Sequence, residues 1–169
     1  FESRKASRAS ETGCSRAMWA ASAERGLLGL PFSEEDGGFG GGPEETMLVA
    51  EQMGRHMTLE PWFSTVVLGG GFLRHGADVA LRQQMVEGVA SGETLLAFAQ
   101  TERQSRYDLF DVQTTAKQDG SGWVITGRKG MVLHGDTADH FFVTARVSGA
   151  ARDHGGIGVS VGDSQDFLG

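Results

Sequence analysis

Apolar residues recur at helical spacing through the first half of the chain and at strand spacing through the second. From Arg16 to Leu28, the residues Met18, Trp19, Ala21, Ala23 and Leu27 form one apolar stripe, which Gly29 and Pro31 terminate. The glycine-rich run from Ser33 to Gly42 reads as a long turn, because glycine reaches backbone conformations closed to other residues. Pro43 opens a second helix, with Glu44 and Glu45 favoured by the positive end of the helix dipole. Met47, Leu48, Ala50 and Met53 carry it to Arg55. Pro61 starts a third helix that runs through Leu73. Asp78 caps a fourth, which turns Val79, Leu81, Met85, Val86 and Val89 inward and ends near Gly92.

Beyond Gly92 the period shortens. Thr94 to Thr101 is an apolar strand-like run, and Val112 to Lys117 alternates. Asp119-Gly120-Ser121-Gly122 is a turn, and Trp123 to Lys129 alternates again. Phe141 to Val147 and Ile157 to Val161 complete the strands. Helices first and strands afterwards predict an α+β chain. We expect an all-α helical domain over residues 1–92, then an antiparallel barrel- or sandwich-like β domain over residues 93–169. A sheet ending at Gly169 leaves an open edge and an uncovered apolar face, so the expectation is a truncated β domain in a fragment. The absence of an initiator Met suggests further residues upstream.

Composition narrows the function classes. The 169 residues are 39% hydrophobic and 22% charged, as in a globular protein, and carry a net charge of −7, which opposes nucleic-acid binding. No apolar run is long enough for a membrane span, and no signal peptide is evident. One cysteine, Cys14, rules out an internal disulfide and fits the reducing cytoplasm. The five histidines lack metal-ligand spacing, so no metal is expected. His134-Gly135-Asp136 and Asp139-His140 read as turn residues. The glycine clusters fail as phosphate loops: Pro43 and Arg74 stand where a dinucleotide fingerprint needs its third Gly, and no Gly-Lys-Ser/Thr occurs. A hydrolase has no Gly-x-Ser-x-Gly elbow behind it.

The informative residues are a colinear set: Glu24-Arg-Gly-Leu-Leu-Gly-Leu-Pro31, Glu35-Asp-Gly-Gly-Phe-Gly-Gly41, Gly54-Arg55, Ser91-Gly-Glu93, Ala99-Gln-Thr-Glu102, Asp108, Asp119-Gly-Ser-Gly-Trp123 and Gly127-Arg-Lys129. Together they resemble the acyl-CoA dehydrogenases along the whole chain. The string Thr101 to Leu109 is further similar to the small-subunit branch of pimeloyl-CoA dehydrogenase. The resemblance implies a helical N-terminal domain, a β middle domain and a C-terminal four-helix domain, the last absent from this chain. It also implies FAD as cofactor, an acyl-CoA substrate, a homo- or hetero-oligomer, and an electron-transferring flavoprotein or similar acceptor. The family forms an α,β double bond in the thioester; a dicarboxylyl chain such as pimeloyl-CoA fits this branch.

By the same resemblance, Phe98, Gln100 and Thr101 occupy flavin-ring positions, and Leu133 stands where a Thr hydroxyl reaches the reactive flavin nitrogen, so it offers backbone groups only. Glu102 and Asp108 match as structural residues of the following loop. The chain departs from the pattern at Arg103 for Pro, at Arg106-Tyr107 for Gly-Ser, and at Met131 for a Trp beside the flavin. Arg103, Arg106 and Tyr107 are candidate substrate contacts, the guanidinium groups suiting CoA phosphates or a distal carboxylate; solvated loop charges are the plainer reading. The catalytic base belongs to C-terminal sequence and is unknown here. The departures motivate two alternatives: a non-catalytic partner subunit with a decayed flavin site, or a member that binds acyl-CoA without turnover.

Overall fold

The structure is a computed structural model that describes residues 2–167. The chain divides into two compact units, Phe1–Leu96 and Ala97–Gly169.

In the helical unit, α1 (Glu2–Arg8) is an exposed helix that the periodicity did not predict. α2 (Arg16–Glu24) begins where the Ser15 hydroxyl accepts the Met18 N–H, and ends four residues earlier than expected. There Gly26 adopts a left-handed φ of 73°, with the Phe39 ring where a side chain would stand. Trp19 is buried and donates its indole N–H to Gly92 O at 2.9 Å, closing the unit across 73 residues of sequence. Met18 lies outside the core, 54% exposed, because only Trp19 and Ser22 of this helix are buried.

Helix α3 (Pro43–His56) is fixed by local chemistry. Pro43 takes its first turn, and the Glu45 carboxylate accepts the Gly42 N–H at 2.7 Å. It buries no residue, and Met47 and Leu48 remain exposed. The expected third helix is instead a wide π-helical turn, Phe63–Gly69, continued by α4 (Gly70–His75). Glycine is required here: a Cβ on Gly69 would stand 2.6 Å from Leu96 Cβ, and one on Gly70 would stand 2.8 Å from the Phe32 ring. α5 (Val79–Ser91) starts at Asp78, whose carboxylate accepts the Leu81 N–H at 2.8 Å, and buries Met85, Val86 and Val89. Val79, expected inside, is exposed. The front of that stripe is polar, since Arg82 pairs with Asp36 at 2.7 Å. The core is Leu28, Phe32, Trp62, Val66, Leu73, Val86 and Val89.

The second unit holds the sheet, entered by β1 (Leu96–Ala99) and followed by β2 (Thr115–Asp119), β3 (Gly122–Thr126), β4 (His140–Arg146) and β5 (Ile157–Asp163), with a short α6 (Ser164–Phe167). The order is β1-β4-β2-β3, and β5 also pairs with β4. β2–β3 is an antiparallel hairpin turning at Gly120, and β4–β5 is antiparallel over its full length. β2 meets β4 in parallel through the single register pair Thr115↔Arg146, so the sheet is mixed where a purely antiparallel one was expected. Phe141 to Arg146 are all buried. Phe141 and Val143 pack with Ala97, Ala99 and Ala138, flanked by Ile125, Val132 and Phe167. Thr144 and Arg146 alternate with them and carry polar contacts.

Phe32 anchors the helical core, because its ring meets the glycine backbone at Gly70 and lies beneath the Arg74 guanidinium. We expect Phe32→Ala to lower the unfolding free energy by about 3–5 kcal/mol. Urea titration followed by far-UV circular dichroism would show the helical signal lost at lower denaturant. An unchanged midpoint would remove Phe32 from this role.

Candidate functional site

The second unit contains a cavity of about 880 Å³ lined by two loops, Thr101–Tyr107 and Arg128–Met131. A buried ion pair joins these loops. Lys129 Nζ donates to Glu102 Oε1 at 2.7 Å, to Thr144 Oγ1 at 2.9 Å and to Gln100 O at 3.2 Å. Glu102, 3% exposed, also accepts the Thr114 N–H at 3.0 Å, the Gln113 N–H at 2.9 Å and Gln104 Nε2 at 2.7 Å. Above the pair, Gly130 donates its N–H to Thr101 O at 2.9 Å.

Burial alone would raise the Glu102 pKa. The Lys129 ammonium and the Gln104, Thr114 and Gln113 donors outweigh it and lower the value to about 2. Burial draws Lys129 below its ordinary value, while Glu102 opposes that shift. Both Glu102 oxygens are filled and the carboxylate is weakly basic, so Glu102 holds the loops rather than taking a proton.

A second clamp holds the loop beyond Tyr107. Arg146, 5% exposed, donates Nη1 to Asp153 O and Gly155 O, and Nη2 to Phe110 O and Ala151 O, at 2.6–2.9 Å. Arg152 grips buried Asp111 with Nε at 3.0 Å and Nη2 at 2.9 Å. The Phe110 and His154 rings stack at 4.0 Å.

The cavity rim is cationic. Arg103, Arg106 and Arg128 line it, and none forms an ion pair with another described residue. Arg106 and Met131 hold left-handed backbones, φ 49° and 52°, which cost non-glycine residues on the order of 1–2 kcal/mol each. Tyr107 and Met131 are almost fully exposed at the rim.

Of the sequence candidates, Thr101, Arg103, Arg106 and Tyr107 line this one cavity; Phe98, Gln100 and Leu133 do not. Ala97 and Ala99 face the core cluster, so the half-buried Phe98 takes the opposite face of β1. Gln100 contributes its carbonyl to Lys129, and Leu133 is 47% exposed, beyond the core-packed Val132. Sequence reasoning missed Arg128 and Lys129. Their signal was present in the Gly127-Arg-Lys129 string, which follows β3 and carried the resemblance without being read as part of the site. Elsewhere, His140 Nδ1 lies 2.8 Å from Asp163 Oδ1 across β4–β5. Among the described residues, no three His, Cys, Asp or Glu side chains gather as metal ligands, and no helix is long and apolar enough to cross a membrane.

The chain thus sets a helical unit before a mixed β unit whose cavity carries arginines at its rim. The chain matches the acyl-CoA dehydrogenase N-terminal domain over residues 2–93 and the acyl-CoA dehydrogenase middle domain over residues 97–166. It belongs to the acyl-CoA dehydrogenase family. Acyl-CoA dehydrogenase FadE29 of Mycobacterium tuberculosis is 27% identical over 141 residues, 83% of this chain and 36% of that protein. The mitochondrial long-chain specific acyl-CoA dehydrogenase of Sus scrofa is 30% identical over 140 residues, 82% and 32% of the two chains. The chain thus spans about a third of the length of these relatives. A variant of the Tcur3481-Tcur3483 steroid ACAD superposes with a TM-score of 0.81 at 29% identity, covering 96% of this chain and 43% of that one. The FAD complex of PigA shares the fold, with a TM-score of 0.81 at 24% identity and the same coverage.

Removing the charge of Glu102 strands a buried ammonium. Glu102→Gln should cost about 3–5 kcal/mol of stability at neutral pH. Because the folded pKa lies below the ordinary 4.5, the wild-type contribution is complete above that value and fades as pH falls toward about 2. The gap between the two urea midpoints should stay constant from pH 7 to about 4.5 and narrow between there and pH 3; a gap that does not narrow would refute the pair's role.

Proposed function

We propose that the full protein containing this chain is an FAD-dependent acyl-CoA dehydrogenase that forms an α,β double bond in a thioester, with a dicarboxylyl chain such as pimeloyl-CoA as substrate. The supporting observation is the cavity itself: about 880 Å³, rimmed by Arg103, Arg106 and Arg128, which form no ion pair among the described residues. This lining fits a phosphate-bearing dinucleotide or CoA ester, and the exposed Met131 side chain supplies an apolar surface beside it. Bound FAD would accept the β-hydride of the substrate. Thr101 would meet the cofactor at the end of the first strand, and the arginines would orient phosphate or a distal carboxylate. Family membership supports an electron-transferring flavoprotein as acceptor, a reading in keeping with the Acidaminococcus fermentans electron-transferring flavoprotein study, which includes a chain of this fold at 25% identity. The lone buried cysteine fits a cytoplasmic setting.

A second reading has its own observation. Tyr107 is 98% exposed and Met131 88%, so neither is packed into a preformed cofactor bed. A partner subunit with a lapsed flavin site, in a hetero-oligomer like the ChsE4-ChsE5 complex of Mycobacterium tuberculosis, would carry such substitutions.

Visible absorption of the purified full-length protein separates the readings. A flavin band that bleaches on adding pimeloyl-CoA is expected; no band after FAD reconstitution would favour the partner subunit. Arg106→Gly tests the rim directly. It removes backbone strain, so stability should hold or rise by up to about 1 kcal/mol. Affinity for the CoA ester should fall about tenfold, measured by calorimetry. Unchanged affinity would make Arg106 a solvated loop charge.

A further inference from the structure

The helical unit carries a cleft that none of the roles above uses. Its volume is about 490 Å³, within the range of small-ligand sites, and it is lined by Met47 of α3, by Phe63 and Val67 of the π-helical turn, and by Pro31, Arg74 and His75. Phe63, Val67 and Arg74 follow one another along a continuous helical run, so the wall passes from apolar to cationic in one direction. Met47 and Phe63 are both more than half exposed, leaving apolar surface bare in this cleft.

Arg74 is the distinctive group. Its Nη1 reaches Pro31 O at 3.5 Å and its guanidinium lies 5.9 Å from the Phe32 ring centroid, yet its Nε is buried with no hydrogen-bond partner. No acidic side chain pairs with it among the described residues. The acids packed around this part of the unit are engaged elsewhere: Glu45 on the Gly42 N–H, and Asp36 on Arg82. A half-buried guanidinium with few partners is unfavourable until acceptors complete it, and the outer nitrogens are the ones a ligand in the cleft can reach. A guanidinium suits a carboxylate, which accepts two of its N–H groups at once.

We propose that this cleft binds an apolar chain ending in a carboxylate, with the chain against Met47, Phe63 and Val67 and the carboxylate on Arg74. The site uses residues of the helical unit alone and stands whether or not the flavin reading holds. Calorimetric titration of the 169-residue protein with decanoate tests it. One-to-one saturable binding is expected, with decanol bound at least about tenfold more weakly. Arg74→Gln should weaken decanoate by a similar factor, and Arg74→Lys should restore part of it. Met47→Glu changes an exposed residue, so folding is preserved while a like charge enters the apolar wall, and decanoate affinity should fall again. No saturable binding to the wild-type chain, or equal affinity of either Arg74→Gln or Met47→Glu, overturns the proposal.

Discussion

The β unit depends on one buried contact, the ion pair of Glu102 and Lys129. Four segments converge on it: the chain leaving β1 through Gln100 and Glu102, the entry to β2 through Gln113 and Thr114, the loop after β3 through Lys129, and Thr144 of β4. Two charges taken out of water are unfavourable unless every remaining lone pair and proton finds a partner. Here they do. Both carboxylate oxygens are doubly engaged, and the ammonium meets three acceptors. Removing either partner strands the other charge, so the hub acts by holding together the segments that meet on it.

Arg146 solves a related problem without an anion. Four backbone carbonyls surround its guanidinium, which ties the Phe110 segment to the turn between β4 and β5. Those carbonyls belong to irregular loops; Phe110 O and Ala151 O also accept the Val112 N–H, and the one planar donor adds the bonds that tie the loops together. The two hubs bracket the Arg103–Tyr107 loop on both sides. The rim residues are therefore exposed at their side chains while the backbone beneath them is pinned. Left-handed Arg106 persists in this setting, since the surrounding bonds decide the conformation against its local preference.

Much of this was legible in the sequence. The cap at Asp78, Pro43 as helix opener and the hairpin turn at Asp119–Gly122 are local signals, and each stands in the structure. What escaped was non-local. The parallel join of β2 to β4 rests on one residue pair, and Glu102 meets Lys129 across 27 positions. Neither leaves a periodic trace. The outward turn of Val79 and Met47 also follows from partners rather than propensity: Arg82 occupies the front of one stripe, and α3 buries none of its residues. At the site, the loop residues from Thr101 to Tyr107 were readable because they are contiguous. Phe98 and Leu133 fall outside the cavity because their neighbours Ala97, Ala99 and Val132 pack into the core.

The charge distribution then bears on what the cavity selects. The whole chain is acidic at −7, yet three arginines that form no ion pair among the described residues gather on one rim. A positive patch on a negative body concentrates anions at that place while repelling them elsewhere. The substitution that brings Arg106-Tyr107 in place of a Gly-Ser pattern adds a cation and removes a small hydroxyl. The first change strengthens long-range attraction to phosphate or carboxylate, and the second deletes a short-range hydrogen bond. Attraction without a fixed donor tolerates several anions, whereas a buried hydroxyl selects one geometry. The rim guanidinium groups are therefore exposed and adaptable, while the backbone that carries them is held by the two hubs beneath.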